Sequence, residues 1–283
     1  MADILKGGPV AAALSEELKT RAEKLKEAGT VPTLAILRVG ERPDDISYEN
    51  GAMKRCDKIG VAVKRFLLPG DCTKQQLLDT ICEINGDSSI HGCLMFRPLP
   101  DKAMEDAACA LLASEKDVDG MTAGSLASVF SGKGAGFPPC TAQACIELLD
   151  HYGVTLTGKR AVVIGRSLVI GKPVAMMLQK RNATITMCHT RTVDMPGVCR
   201  EAEIVIAAAG KAGIVDKSFV APGQVVVDVG INVDENGKLC GDVSFDEVEP
   251  VVAAITPVPR GVGSVTTAVL AKHVIEAAEK MQK

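Results

Sequence analysis

The stretch Ala161-Val-Val-Ile-Gly-Arg-Ser-Leu-Val-Ile-Gly-Lys-Pro-Val-Ala-Met-Met-Leu178 decides the fold. Its first four residues are all apolar, which suits a strand of a parallel sheet covered by helices on both faces. Gly165 breaks that strand, and Val174 to Leu178 continue as helix. A strand that passes into a helix through a glycine turn gathers backbone N–H groups and the positive end of the helix dipole at one point, the arrangement that binds a pyrophosphate. The spacing is Gly-x-Ser-x-x-x-Gly-x-Pro, not Gly-x-Gly-x-x-Gly. A tight turn without a ligand would also use glycine here, so the loop alone leaves both readings open.

Downstream, strands are predicted at Thr184 to Cys188, Ile204 to Ala208 and Val225 to Val229, with Ile255 reached after a hairpin from Asn232 to Asp242 and a final helix from Thr267 to Lys283. Upstream, Arg160 to Ile164 is preceded by a helix from Thr141 to His151 and by Gly132-Lys-Gly-Ala-Gly-Phe-Pro-Pro139, whose glycine and proline density marks a domain boundary. Before it the alternation repeats. A helix from Val10 leads to an apolar strand, Thr33 to Val39, and the turn Glu41-Arg-Pro-Asp-Asp45 to a helix from Ser47 to Lys58. Val61 to Leu67, a helix from Lys74 to Asn85, and Gly92 to Phe96 follow. The fold class is therefore α/β, in two domains with parallel sheets.

Composition narrows the function. The 283 residues are 47% hydrophobic and 24% charged with a net charge of −3, so no basic field invites nucleic acid or an anionic membrane. No apolar run is long enough to span a bilayer and Met1 to Val10 lacks the layout of a secretory signal. A cytoplasmic protein handling a small molecule is expected. The ten cysteines contain no C-x-x-C pair and the four histidines are dispersed, so the thiols read as reduced and structural and no metal is expected. There is no Trp and there are only two Tyr.

The strand after the phosphate loop bears on cofactor choice. An NAD site usually ends this strand with an acid that holds the ribose 2′-hydroxyl, whereas NADP calls for cations and hydroxyls around a 2′-phosphate. Here it ends Met187-Cys-His-Thr-Arg-Thr192, and Arg166, Thr190 and Arg191 suit a phosphate. NADP is favoured over NAD.

Lys116-Asp-Val-Asp-Gly120, Pro139-Cys-Thr141, Gly165-Arg-Ser167 with Gly171-Lys-Pro173, Cys188-His-Thr-Arg-Thr192, Asp228-Val-Gly-Ile-Asn232, Gly241-Asp-Val243 and Ile255-Thr-Pro-Val-Pro259 with Gly261-Val-Gly263 occur in that order. Together they make the chain resemble the methylenetetrahydrofolate dehydrogenase/methenyltetrahydrofolate cyclohydrolase family, called FolD in bacteria. The resemblance implies a folate-binding catalytic domain over 1–140 plus 268–283, a Rossmann-type NAD(P)-binding domain over 141–267, a homodimer, and a site in the cleft between domains. It implies hydride transfer from 5,10-methylenetetrahydrofolate to the nicotinamide, then hydrolysis of the methenyl product to 10-formyltetrahydrofolate. It puts Tyr48 on the residue that stacks against the folate and Asp119 on the one that hydrogen-bonds the pterin. Pro259, Gly261, Val262 and Gly263 fall on the loop that closes over the ligands. Gly165, Arg166, Ser167, Gly171, Thr190, Arg191 and Ile231 fall on cofactor contacts. Arg260 stands where the family usually has glycine.

The larger departures touch the hydrolytic step. The family pattern Tyr-x-x-x-Lys reads Tyr48-Glu-Asn-Gly-Ala52, and Tyr48 precedes Gly60 by the family's own twelve residues, so no gap restores the register. Lys54 lies about 200° further round the helix, on the far face. The glutamine that supports the family lysine is replaced by Phe96, in Met95-Phe-Arg-Pro-Leu-Pro100. Removing both polar partners strands neither. Hydride transfer asks mainly for orientation, whereas hydrolysis needs a water activated by an acid, base or cation, which Ala52 cannot supply. The expectation is an NADP-dependent dehydrogenase with weak or absent cyclohydrolase activity. The alternatives are a full bifunctional enzyme using a rearranged group such as Lys54 or Arg97, and a non-catalytic folate or nucleotide binding paralogue.

Overall fold

Described by a computed structural model over residues 1–235 and 237–282, the chain runs β1 (Asp3–Ile4), α1 (Gly7–Glu27), β2 (Thr33–Val39), α2 (Pro43–Ile59), β3 (Ala62–Leu68), α3 (Lys74–Gly86), β4 (Gly92–Met95), α4 (Lys102–Leu111), α5 (Ala123–Ser131) and α6 (Cys140–His151). It continues β5 (Arg160–Ile164), α7 (Gly171–Lys180), β6 (Thr184–Cys188), α8 (Met195–Arg200), β7 (Ile204–Ala207), β8 (Val225–Asp228), β9 (Asn232–Val233), β10 (Leu239–Cys240), α9 (Phe245–Val248), β11 (Ala254–Ile255) and α10 (Thr266–Met281). Asn236, in the expected hairpin, and Lys283, at the expected end of the last helix, lie outside the described residues. Two compact units result: Ala13–Cys140 with the segment from Thr267, and Met1–Ala12 with Thr141–Thr266.

In the unit built on Ala13–Cys140, β2 is the middle strand of a three-stranded parallel sheet, β3-β2-β4. Strand alternation divides its residues. Ala35, Leu37 and Val39 enter a core with Leu77, Ile81 and Ile84 of α3 and Met104 and Ala108 of α4. Leu34, Ile36 and Arg38 therefore point to the opposite face. Helix α2 begins at Pro43, four residues before the predicted Ser47. Proline at the first helical position forfeits no hydrogen bond, and Asp44 and Asp45 in the first turn suit the positive end of the dipole. The earlier start puts Tyr48 in regular helix, beyond the first turn. Gly60, at φ 92°, closes the helix by donating to Cys56 O and Asp57 O.

The other unit holds a six-stranded sheet in the order β1-β11-β8-β7-β5-β6, every pairing parallel. The chain leaves β5 to one side to form β6 and returns to the other side as β7. The C-terminal end of β5, at Gly165, is thus the topological switch point, where open parallel sheets bind ligands. Residues Met1–Ala12, counted with the first domain in the sequence reading, group with this unit instead. Asp3 N donates to Ala253 O at 2.8 Å and Leu5 N to Ile255 O at 2.9 Å. A strand of two residues carries no periodicity by which sequence could find it.

Among the described residues no helix is long and apolar enough to cross a membrane, and no cluster of three or more His, Cys, Asp or Glu could hold a metal ion. All ten cysteines are free, seven of them buried.

Candidate active site

Helix α2 carries Tyr48, Ala52 and Cys56 one turn apart on a single face. Ala52 is wholly buried at 0% exposure, while Lys54 is exposed. Phe96 continues β4 by donating its N–H to Leu37 O at 3.0 Å. Its ring is buried and meets Tyr48 edge-on, centroids 6.0 Å apart and planes at 82°. Phe96 thus closes on the tyrosine with an aromatic edge. Arg97, beside it, is 4.0 Å from Glu105. One residue from Tyr48, Glu49 is buried with both carboxylate oxygens engaged: Arg38 Nε donates to Oε2 at 2.7 Å and Arg65 Nε to Oε1 at 2.6 Å. Sequence reading missed this cluster. The signal available was Arg38, a charge inside an otherwise apolar strand.

The loop Lys116-Asp-Val-Asp-Gly120 is fixed from several directions. Buried Lys116 donates to Ile84 O and Asp87 O, both at 2.7 Å, capping the end of α3. Asp117 accepts from Met121 N at 3.1 Å and Thr122 N at 2.7 Å. Gly120 has φ 68°, and a Cβ there would lie 2.3 Å from Pro139 N, so only glycine lets the two segments approach. This framework holds Asp119 half-buried beside Cys140, where burial pushes its carboxyl up to about 6, with the nearby Asp117 adding to the rise. The Cys140 thiol is itself pushed well above its ordinary value by burial and by Asp119, so it stays protonated and is no nucleophile. His273 bonds Val118 O through Nδ1 at 2.8 Å and packs on Phe137; burial lowers it to about 4 and keeps it neutral.

In the other unit, Gly165 at φ 122° passes so close to β7 that a Cβ would lie 2.1 Å from Ala208 O. Ser167 then caps α7 from within the loop. Its Oγ accepts from Ile170 N at 3.1 Å and Gly171 N at 3.4 Å, and its carbonyl accepts from Lys172 N at 3.0 Å. Pro173 has no N–H. The first-turn amides expected to face an anion are therefore already occupied. The amides of Arg166, Ser167, Leu168 and Val169 have no hydrogen-bond partner among the described residues and are the ones open to a pyrophosphate. The loop after β6 lies alongside, tied by Gly165 N to Cys188 O at 2.9 Å and shaped by His189 N donating to Thr192 Oγ1. Arg166, Thr190 and Arg191 are exposed on these two loops, and neither guanidinium has an ion-pair partner among the described residues.

Two buried aspartates shape the far side of the same sheet edge. Asp242 accepts from Ala209 N, Gly210 N and Lys211 N and from Asn232 Nδ2, at 2.6–2.9 Å. Asp228 accepts from Gly230 N, Asp242 N and Val243 N at 2.9–3.0 Å. These carboxylates explain the Asp228 and Gly241-Asp242 motifs as loop clasps. They hold Ile231 exposed on a cavity of about 250 Å³ lined also by Pro259, Arg260, Gly261, Val262 and Gly263. Arg260 sits at φ 80°, a conformation that glycine adopts without strain.

Residues 5–119 match the catalytic-domain model of the tetrahydrofolate dehydrogenase/cyclohydrolase family and residues 139–282 match its NAD(P)-binding-domain model. The protein named Bifunctional protein FolD of Carboxydothermus hydrogenoformans is 54% identical over 281 residues, covering 99% of this chain and 98% of that one. The crystal structure of the bifunctional FolD methylenetetrahydrofolate dehydrogenase/cyclohydrolase of Campylobacter jejuni superimposes with a TM-score of 0.94 at 37% identity, over 99% of each chain. The Trypanosoma brucei dehydrogenase-cyclohydrolase, solved with NADP cofactor and inhibitor, gives 0.92 at 32% identity, over 100% of this chain and 99% of that one.

Proposed function

The chain belongs to the tetrahydrofolate dehydrogenase/cyclohydrolase family, and on that premise we propose that it is a methylenetetrahydrofolate dehydrogenase that uses NADP and hydrolyses its methenyl product weakly or not at all. The observation that carries the second half is the fully buried Ala52 below a tyrosine capped by Phe96. Neither side chain can hold or polarise a water. The first half rests on intact ligand positions. Tyr48 offers a ring face to a pterin, and Asp119 offers a carboxylate to its N–H groups. The open amides of Arg166 to Val169 fit a pyrophosphate, and Arg166, Thr190 and Arg191 fit a 2′-phosphate. NADP, when bound, supplies the hydride acceptor. The protein's part is to orient the folate on Tyr48 and to exclude water. The resemblance also carries the expectation of a homodimer.

A second reading, the full bifunctional enzyme, is favoured by the relatives of Carboxydothermus hydrogenoformans and Campylobacter jejuni, both of which are called bifunctional. One assay separates the readings. Purified protein given methylenetetrahydrofolate and NADP is followed for NADPH formation and for loss of the methenyl absorbance. NADPH formation with methenyl accumulation supports the proposal; methenyl loss at a comparable rate establishes the bifunctional enzyme; binding without turnover leaves a non-catalytic paralogue.

A further inference from the structure

Glu49 is a buried acid gripped from two strands. Arg38 stands near the end of β2 and Arg65 in β3, on the same sheet face, because Arg65 pairs with Ile36 and Arg38 with Leu67. Arg38 is 5% exposed and Glu49 1%, so their charges are out of water, and Arg38 also donates through Nη1 to Gly40 O. A buried ion pair seldom stabilises a fold more than apolar residues of the same shape. What two charge-assisted bonds to one carboxylate do provide is direction. Glu49 follows Tyr48 by about 100° around α2, so a helix turned about its axis would break both bonds and swing the Tyr48 ring. Phe96 limits that ring from the other side: it extends β4 beside Arg38, on the face α2 covers.

We propose that Glu49, clamped between Arg38 and Arg65, is a positioning residue that sets the rotation of α2 and so presents the Tyr48 ring to the folate. The inference deepens the dehydrogenase reading and rests on it. Glu49 touches no reacting atom and acts through Tyr48.

The test is a double-mutant cycle on the full chain. Glu49→Gln is expected to raise KM for methylenetetrahydrofolate about tenfold, with KM for NADP changed less than about twofold. On a Tyr48→Ala background the same substitution should add less than about twofold, because residues acting as a unit are not additive. A merely structural role would instead move both KM values together or add in full on that background, and either result overturns the proposal, as does an unchanged folate KM. If Glu49→Gln fails to fold, Arg38→Leu with Glu49→Leu removes the buried pair without stranding a charge, and the same folate-specific rise is expected of it. If the wild-type protein reduces no NADP, the dehydrogenase reading falls. The cycle is then read in the Kd of tetrahydrofolate, where additive effects overturn the positioning role separately.

Discussion

Phe96 stands edge-on to Tyr48 at 6.0 Å, while Ala52, one helical turn from that tyrosine, is wholly buried. An aromatic and a methyl group thus occupy the surroundings in which a lysine and a glutamine would support each other. Ala52→Lys alone buries an unpaired ammonium and is expected to destabilise the protein by several kcal/mol, measured by urea unfolding. Ala52→Lys with Phe96→Gln should recover part of that loss and gain methenyl hydrolysis. A double variant as inactive in hydrolysis as the parent would show that these two positions are not what limits the step.

Asp119 and His273 make opposite contributions to stability over one pH range. Asp119 is raised from 3.8 to about 6, so the folded state holds the extra proton and stability is lost as pH climbs through that window. His273 is lowered from 6.5 to about 4, so the unfolded state holds the proton and stability is gained over much the same range. Each is worth at most about 3 kcal/mol. Between about pH 4 and 6 Asp119→Asn should therefore follow a more upward slope than wild type and His273→Gln a more downward one, since Asp228, also raised to about 6 by burial, adds the same falling contribution to all three curves. Parallel curves for all three proteins would refute the assignment.

The alternation of apolar runs with helical periods carries most of this architecture, because a buried parallel strand such as Ala161 to Ile164 and an amphipathic helix differ in period. What escaped reading was set by contacts distant in sequence or by the rotamer of a single side chain. The strand Asp3–Ile4 exists only because β11 offers it a ladder. The occupied first turn of α7 depends on the rotamer of Ser167, which no spacing rule contains. Tyr48, Asp119 and the cofactor loops stand out through motifs as candidates, yet Glu49 does not. Its meaning depends on Arg38 and Arg65, from strands whose register only the folded sheet establishes.

Cofactor choice should rest on the loop after β6. Arg191 is exposed and has no ion-pair partner among the described residues. Replacing Arg191 with Ala is expected to raise KM for NADP about tenfold or more and leave KM for NAD within about twofold, since only the former carries a 2′-phosphate. Equal effects on both nicotinamides would place Arg191 away from that phosphate.

Arg260 holds a left-handed conformation at φ 80° while its carbonyl accepts from Gly7 N at 2.8 Å, so the backbone has little freedom to relax. Left-handed backbone strains a side-chain-bearing residue by about 1 kcal/mol relative to glycine. Arg260→Gly should therefore raise stability by about that amount in thermal unfolding. Arg260 also lines the cavity that Ile231 lines. If its charge serves a bound anion there, the stabilised variant will show a KM for NADP several-fold higher, trading affinity for stability as strained functional positions do. A variant more stable and kinetically unchanged would mean that the arginine is tolerated strain with no part in binding.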